Sequence, residues 1–137
     1  MKITEFDPKR DLIIVRSMIW GRGQYNQLSL AIDTASTATV VAPHVIEDIG
    51  YTPRDGLSIT TVRSAIGKEQ GYTLKVARFE ALGFACSNFE VNVFDLATGP
   101  DIDGLIGLSF LQHFDYEIYS IVGRIAARPA AADARPA

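Results

Sequence analysis

The sequence predicts an all-β fold, on three observations. Apolar and polar residues alternate along successive short segments: Leu28, Leu30 and Ile32 fall on one face and Ser29, Ala31 and Asp33 on the other, the period of a half-buried strand. Turn residues punctuate these segments at short intervals, with Gly21 and Gly23, Gly67 and Gly71, Gly83, Gly99-Pro100 and Gly123. Helical signals are confined to two stretches, a turn opened by Pro43 and stopped by Gly50 and a short helix after Gly107.

Residues 1–10 are polar, with Pro8 and mixed charge, and read as a flexible lead or an edge element. Residues 11–20 are rich in Ile, Val, Met and Trp and form a strand. Gly21-Arg22-Gly23 then supplies a turn, and residues 25–33 return as the second strand of a hairpin. Its Gly-x-Gly lacks a third glycine and precedes a strand where a dinucleotide site needs a helix, so a hairpin turn accounts for it. Residues 37–41 are a β-branched run, followed by the helical turn of Val45, Ile46 and Ile49. Residues 57–62 and 72–76 read as a hairpin with its tip near residues 64–70. Residues 79–84 and 89–94 continue the strand-turn-strand pattern with Cys86 in the turn region, and residues 98–100 make a loop. Leu105-Ile106-Gly107 is an apolar strand, after which Phe110, Leu111 and Phe114 have the spacing of one buried helical face. Residues 116–125 read as a last hairpin. The Ala-, Pro- and Arg-rich residues 126–137 have too few large apolar side chains to dock and are expected to be a disordered tail. The expected organisation is one domain over residues 11–125.

The chemistry concentrates where the strand of residues 28–33 ends. Asp33 is presented there, and Thr34, Ala35 and Ser36 are small enough for a tight turn whose hydroxyl and N–H groups point at the carboxylate. Far downstream, residues 102–111 run as an apolar strand closed by Gly107. Asp33-Thr34-Ala35 and Leu105-Ile106-Gly107 together resemble the two motifs of the retropepsin-like aspartic proteases, single-lobe enzymes related to retroviral proteases and to one half of pepsin. The resemblance covers residues 12–119. It implies a closed β-barrel lobe with one short helix in the C-terminal half, and Asp33 as the catalytic residue. It also implies that Thr34, Ala35 and Ser36 support the active-site turn, Thr34 by bracing two such turns across a dimer axis and Ser36 by donating to the outer oxygen of Asp33. The hairpin between the motifs falls where the family carries its flap. One position departs from the family pattern: Ala35 stands where glycine is usual, which puts a methyl group beside the catalytic water.

Aspartic proteolysis uses two carboxylates around one water, and the triplet occurs once. The resemblance therefore implies a homodimer in which each subunit contributes Asp33, acting on extended segments of a peptide or protein substrate. The alternative is a catalytically inactive dimeric binding or scaffold domain that keeps the fold.

Other classes lack support. The net charge of -3, with no cluster of Lys and Arg, argues against a nucleic-acid surface. Cys86 is the one cysteine, so no intrachain disulfide forms, and it has no partner His motif; a structural thiol is the expectation. Leu12-Ile13-Ile14-Val15 is too short to span a membrane, and a cytoplasmic location is the default. His44 and Glu47 sit three apart without a third ligand. Asp101-Ile102-Asp103-Gly104 fails as a calcium loop because Leu105 and Gln112 stand where the fifth and twelfth positions need oxygen ligands. No metal and no cofactor is expected.

Overall fold

The first alternating segments do form a hairpin. In the computed structural model, which describes residues 1–64, 67–96 and 101–130, a short strand β1 (Lys2–Glu5) precedes β2 (Ile14–Trp20) and β3 (Tyr25–Ile32). β2 and β3 pair antiparallel from Ile14 opposite Ala31 to Trp20 opposite Tyr25. Val15, Ile19, Leu28 and Leu30 point inward and are almost fully buried. Two residues of β4 (Val40–Val41), helix α1 (Pro43–Asp48) and a 3-10 turn (Pro53–Asp55) lead to β5 (Ser58–Ser64), β6 (Gly67–Ala81) and β7 (Phe84–Val93). The chain ends as β8 (Gly104–Ile106), α2 (Leu108–Leu111), β9 (Phe114–Tyr119) and β10 (Arg124–Pro129).

Six of these strands close on themselves. Their order is β2-β3-β8-β4-β7-β6, and β6 returns to β2 through the pairs Met18–Glu80, Ile19–Phe79 and Trp20–Arg78. β5 hangs outside the closed ring on β6, and a separate sheet runs β1-β10-β9. The barrel interior is filled by aliphatic side chains and a group of aromatic rings. Phe79 stacks on Phe89 at 5.0 Å, Phe110 meets Phe79 edge-on at 5.1 Å, and Phe114 closes the group 4.9 Å from Phe110. Burial of each such ring contributes about 1.5–3 kcal/mol. The fold is thus the all-β barrel lobe that the sequence predicts, with two short helices where one was emphasised.

Several local expectations are corrected. The stretch 67–81 is one continuous strand: residues 67–73 carry β5, residues 72–81 carry β7, and its end carries β2. Cys86 lies in β7 opposite Phe79, and the turn falls earlier, at Leu82-Gly83, where both residues have positive φ (54° and 85°) as a two-residue hairpin requires. α2 ends at Leu111, so Phe114 reaches the core from β9. Of the two readings of residues 1–10, residues 2–5 take the edge element, paired with β10, and β10 runs on to Pro129 with Ala126 and Ala127 buried. Backbone pairing on both sides of β10 makes up for the lack of large side chains there, and small alanines let the sheet pack closely. The hairpin tip at residues 65–66, the loop at residues 97–100 and the tail at residues 131–137 lie outside the described residues.

Candidate active site

Insertion of β8 between β3 and β4 builds the site. β8 runs parallel to β3, with Leu30 opposite Gly104 and Ile32 opposite Ile106, and antiparallel to β4. The two stretches singled out in the sequence thereby become neighbours. The Asp33 N–H donates to the Ile106 carbonyl at 2.9 Å, which extends the ladder one residue past β3 and brings the carboxylate out level with Gly107. There the chain turns. The Ser36 N–H donates to the Asp33 carbonyl (3.2 Å) and the Ala35 N–H to Asp33 Oδ1 (3.0 Å), the local bonding that Asp favours in a turn.

The supporting residues divide. Ala35 acts through its backbone, and its methyl group is exposed. Thr34 is exposed at the apex of the turn. The Ser36 hydroxyl donates to the Ala38 carbonyl at 2.9 Å; having one proton, it cannot also donate to Asp33, so the expected bond to the outer carboxylate oxygen is replaced by one that braces the turn from behind. Among the described residues no hydrogen bond takes up Oδ2 of Asp33.

Behind the turn, residues 36–39 and 107–109 cross at close quarters. Leu108 N–H donates to Ser36 O and Ser109 N–H to Thr37 O, both at 2.8 Å. A Cβ on Gly107 would lie 2.1 Å from the Ala38 carbonyl oxygen and 2.7 Å from that of Ser36, so only glycine fits. Thr39 and Ser109, which the sequence reading passed over, join the crossing: Thr39 Oγ1 accepts the Gly107 N–H (3.2 Å) and lies 2.9 Å from Ser109 Oγ. The available signal was the alternation of Thr37, Thr39 and Val41, which turns the Thr39 hydroxyl to the same face as a core valine.

Beside the turn lies a hollow of about 290 Å³ walled by Val40, Phe94, Leu96 and Leu105, with Thr60 of β5 reaching it from the side of the β5–β6 hairpin. The other singled-out groups lie elsewhere. His44 and Glu47 of α1 line a second hollow of about 360 Å³ together with Asp103, whose Oδ1 is 3.5 Å from His44 Nε2 and whose Oδ2 accepts the Ser29 N–H at 2.9 Å. Among the described residues no group of three or more His, Cys, Asp or Glu could hold a metal. Cys86 is half-buried on the barrel wall, and burial pushes its thiol above the ordinary value. Among the described residues no helix is long and apolar enough to cross a membrane.

An aspartic carboxylate held by a backbone donor at the end of two parallel strands, backed by a glycine crossing, defines an acid-protease lobe. Residues 19–110 match the aspartyl protease family, and the chain belongs to that family. The fold is similar to the crystal structure of a retropepsin-like aspartic protease from Rickettsia conorii, with a TM-score of 0.67 over 90% of this chain and 94% of that one at 14% identity. It is also similar to the EIAV protease complexed with the inhibitor HBY-793, with a TM-score of 0.55 over 76% and 88% of the two chains at 15% identity. No curated protein matches the chain.

Proposed function

We propose that the protein is a homodimeric aspartic endopeptidase that hydrolyses extended peptide segments, with Asp33 and its symmetry mate forming the catalytic pair. The observation that carries this reading is the presentation of Asp33, fixed through its backbone and Oδ1 while Oδ2 is left for a water, a substrate or the partner. One such chain supplies one carboxylate, so the chemistry requires a second copy.

In the pair, one carboxylate is ionised and the other protonated, because two such groups at close range do not both ionise freely. The ionised group takes a proton from the water as its oxygen bonds to the scissile carbonyl carbon. The protonated group gives its proton to the carbonyl oxygen. Collapse of the resulting diol breaks the C–N bond, and the amine leaves with a proton from the pair. Thr34, exposed at the apex of the turn, is assigned the contact between the two turns. β5 ends its sheet, so its outer edge is open to pairing with an extended peptide, and the β5–β6 hairpin takes the role of a flap. The apolar hollow walled by Val40, Phe94 and Leu105 suits an aliphatic or aromatic side chain of that peptide.

Cleavage of a peptide library by the purified protein, with the Asp33→Asn variant as control and light scattering across a concentration series, tests the reading. Cleavage that needs Asp33 and rises with the dimer fraction is expected. Cleavage retained in Asp33→Asn, or a strictly monomeric active species, overturns it.

A further inference from the structure

Thr39 is the last residue before β4 and is 1% exposed. Its hydroxyl oxygen accepts the buried Gly107 N–H at 3.2 Å and shares a 2.9 Å hydrogen bond with Ser109 Oγ. The direction of that second bond follows from counting protons. A hydroxyl has one proton to give and two lone pairs to receive. If Ser109 were the donor, the proton of Thr39 would be left without an acceptor among the described residues, in a buried place where that is costly. With Thr39 as donor, the chain runs from Gly107 N–H to the Thr39 hydroxyl to Ser109 Oγ, and Ser109 turns its own proton toward an open hollow of about 310 Å³ that it lines with Thr37, Glu90 and Asn92. Thr39 is itself tied to the barrel wall, since its carbonyl accepts the Asn92 N–H at 2.8 Å. Gly107 follows Ile106, whose carbonyl holds the Asp33 N–H. A continuous set of bonds therefore leads from β7 through Thr39 to the backbone that sets the height of Asp33.

We infer that Thr39 is a positioning residue, whose buried hydroxyl fixes the segment 105–107 against the active-site turn and so sets where the Asp33 carboxylate stands. In its catalytic consequence this rests on the peptidase reading above; in its structural part it does not. Valine in place of Thr39 keeps the branched shape and removes the hydroxyl, whereas serine keeps the hydroxyl and removes a methyl group. A packing role would make valine the milder change, and a positioning role makes it the harsher one.

The test measures amide hydrogen exchange at Gly107 by NMR, together with kcat and KM, in wild type, Thr39→Val and Thr39→Ser. In Thr39→Val, exchange at Gly107 is expected to speed up about tenfold and kcat to fall about tenfold with KM nearly unchanged, the pattern of an interaction that matters in the transition state. Thr39→Ser is expected to stay near wild type in both. Protection of Gly107 kept in Thr39→Val, or lost equally in Thr39→Ser, overturns the inference. Lost protection in an enzyme whose kcat is unchanged overturns its catalytic part. Should the wild type cleave no peptide, the peptidase reading falls, and the contrast at Gly107 still decides whether the hydroxyl holds this segment.

Discussion

The crossing behind Asp33 and the terminal sheet β1-β10-β9 solve the same problem, bringing distant segments into contact, by the same device. In the crossing, Gly107 passes so close to the Ala38 carbonyl that a methyl group would lie 2.1 Å from it. In the terminal sheet, Gly123 ends the β9–β10 turn at φ +74°, where a methyl group would lie 2.3 Å from the Phe6 carbonyl. Both glycines let two backbones meet. They differ in what the meeting holds: at Gly107 it is the strand end that bears the carboxylate, and at Gly123 it is the exit from β1, where the Phe6 N–H donates to the Gly123 carbonyl at 3.0 Å. On the peptidase reading, backbone crossing is a matter of stability in one place and of stability and chemistry together in the other.

The largest expected effect breaks the chemistry without touching either crossing. Asp33→Asn is nearly isosteric and keeps an acceptor for the Ala35 N–H, but its amide cannot take a proton from water. Peptide cleavage is expected to fall by about 10²–10⁴-fold, with the melting temperature nearly unchanged. A loss of stability as large as the loss of activity would make Asp33 a structural turn residue.

The paired glycine variants sharpen the comparison. Gly107→Ala and Gly123→Ala each force a backbone shift, and each is expected to destabilise by about 1–3 kcal/mol or more, read by denaturant unfolding. Measured at a temperature where both remain folded, Gly107→Ala should have lost most of its cleavage activity and Gly123→Ala should have kept it. Equal activity in the two variants would separate the crossing from the site.

The pH profile should mark the site as a coupled pair. Cleavage is expected to peak on the acid side of neutral and to fall on both sides, because the mechanism needs one ionised and one protonated carboxyl. A rate still rising above about pH 9 points to a different base. Ala35→Gly is smaller in effect. The Ala35 methyl group is exposed in a single chain, so the change matters only if the dimer or substrate crowds it, and a rise in kcat with stability lowered by less than about 1 kcal/mol is expected. No rise would mean that the methyl group is accommodated.

These regions also differ in how well they could be read in advance. Asp33 and Leu105-Ile106-Gly107 were legible because each carries its own local signature, a carboxylate ending an alternating strand and a glycine ending an apolar one. That β8 would lie between β3 and β4, in the register that sets Ile106 beside Ile32, is a long-range pairing that no local pattern encodes. The Ser36 hydroxyl was misassigned because the nearer acceptor, the Ala38 carbonyl, claims its only proton. The terminal sheet was misread for a different reason: size of side chain was used as the criterion for docking, whereas Ala126 and Ala127 are buried by strands paired on both sides. Gly71 looked like punctuation but lies within a paired strand, opposite Thr60, since a glycine without a turn partner breaks nothing, whereas Gly67 begins that strand.

The smallest expected effect concerns Cys86. It lies seven residues along β7 from Val93, about 23 Å of strand, on the wall that faces Phe79. Burial raises its thiol pKa, which favours the protonated form in the fold. The sign follows: this contribution to stability is full below the pKa of the unfolded chain and is lost as pH rises from that value through the folded one. Native protein at pH 8 is therefore expected to react with iodoacetamide more slowly than the unfolded chain, since the thiolate is the reactive form. Cys86→Ala should leave kcat and KM at wild-type values and remove the alkaline decline that the thiol contributes. Because Gly107 and Cys86 both belong to the barrel but only Gly107 borders the Asp33 turn, a thiol that labels rapidly and takes activity with it would place part of the chemistry on the β6–β7 wall and dissolve the contrast between wall and crossing.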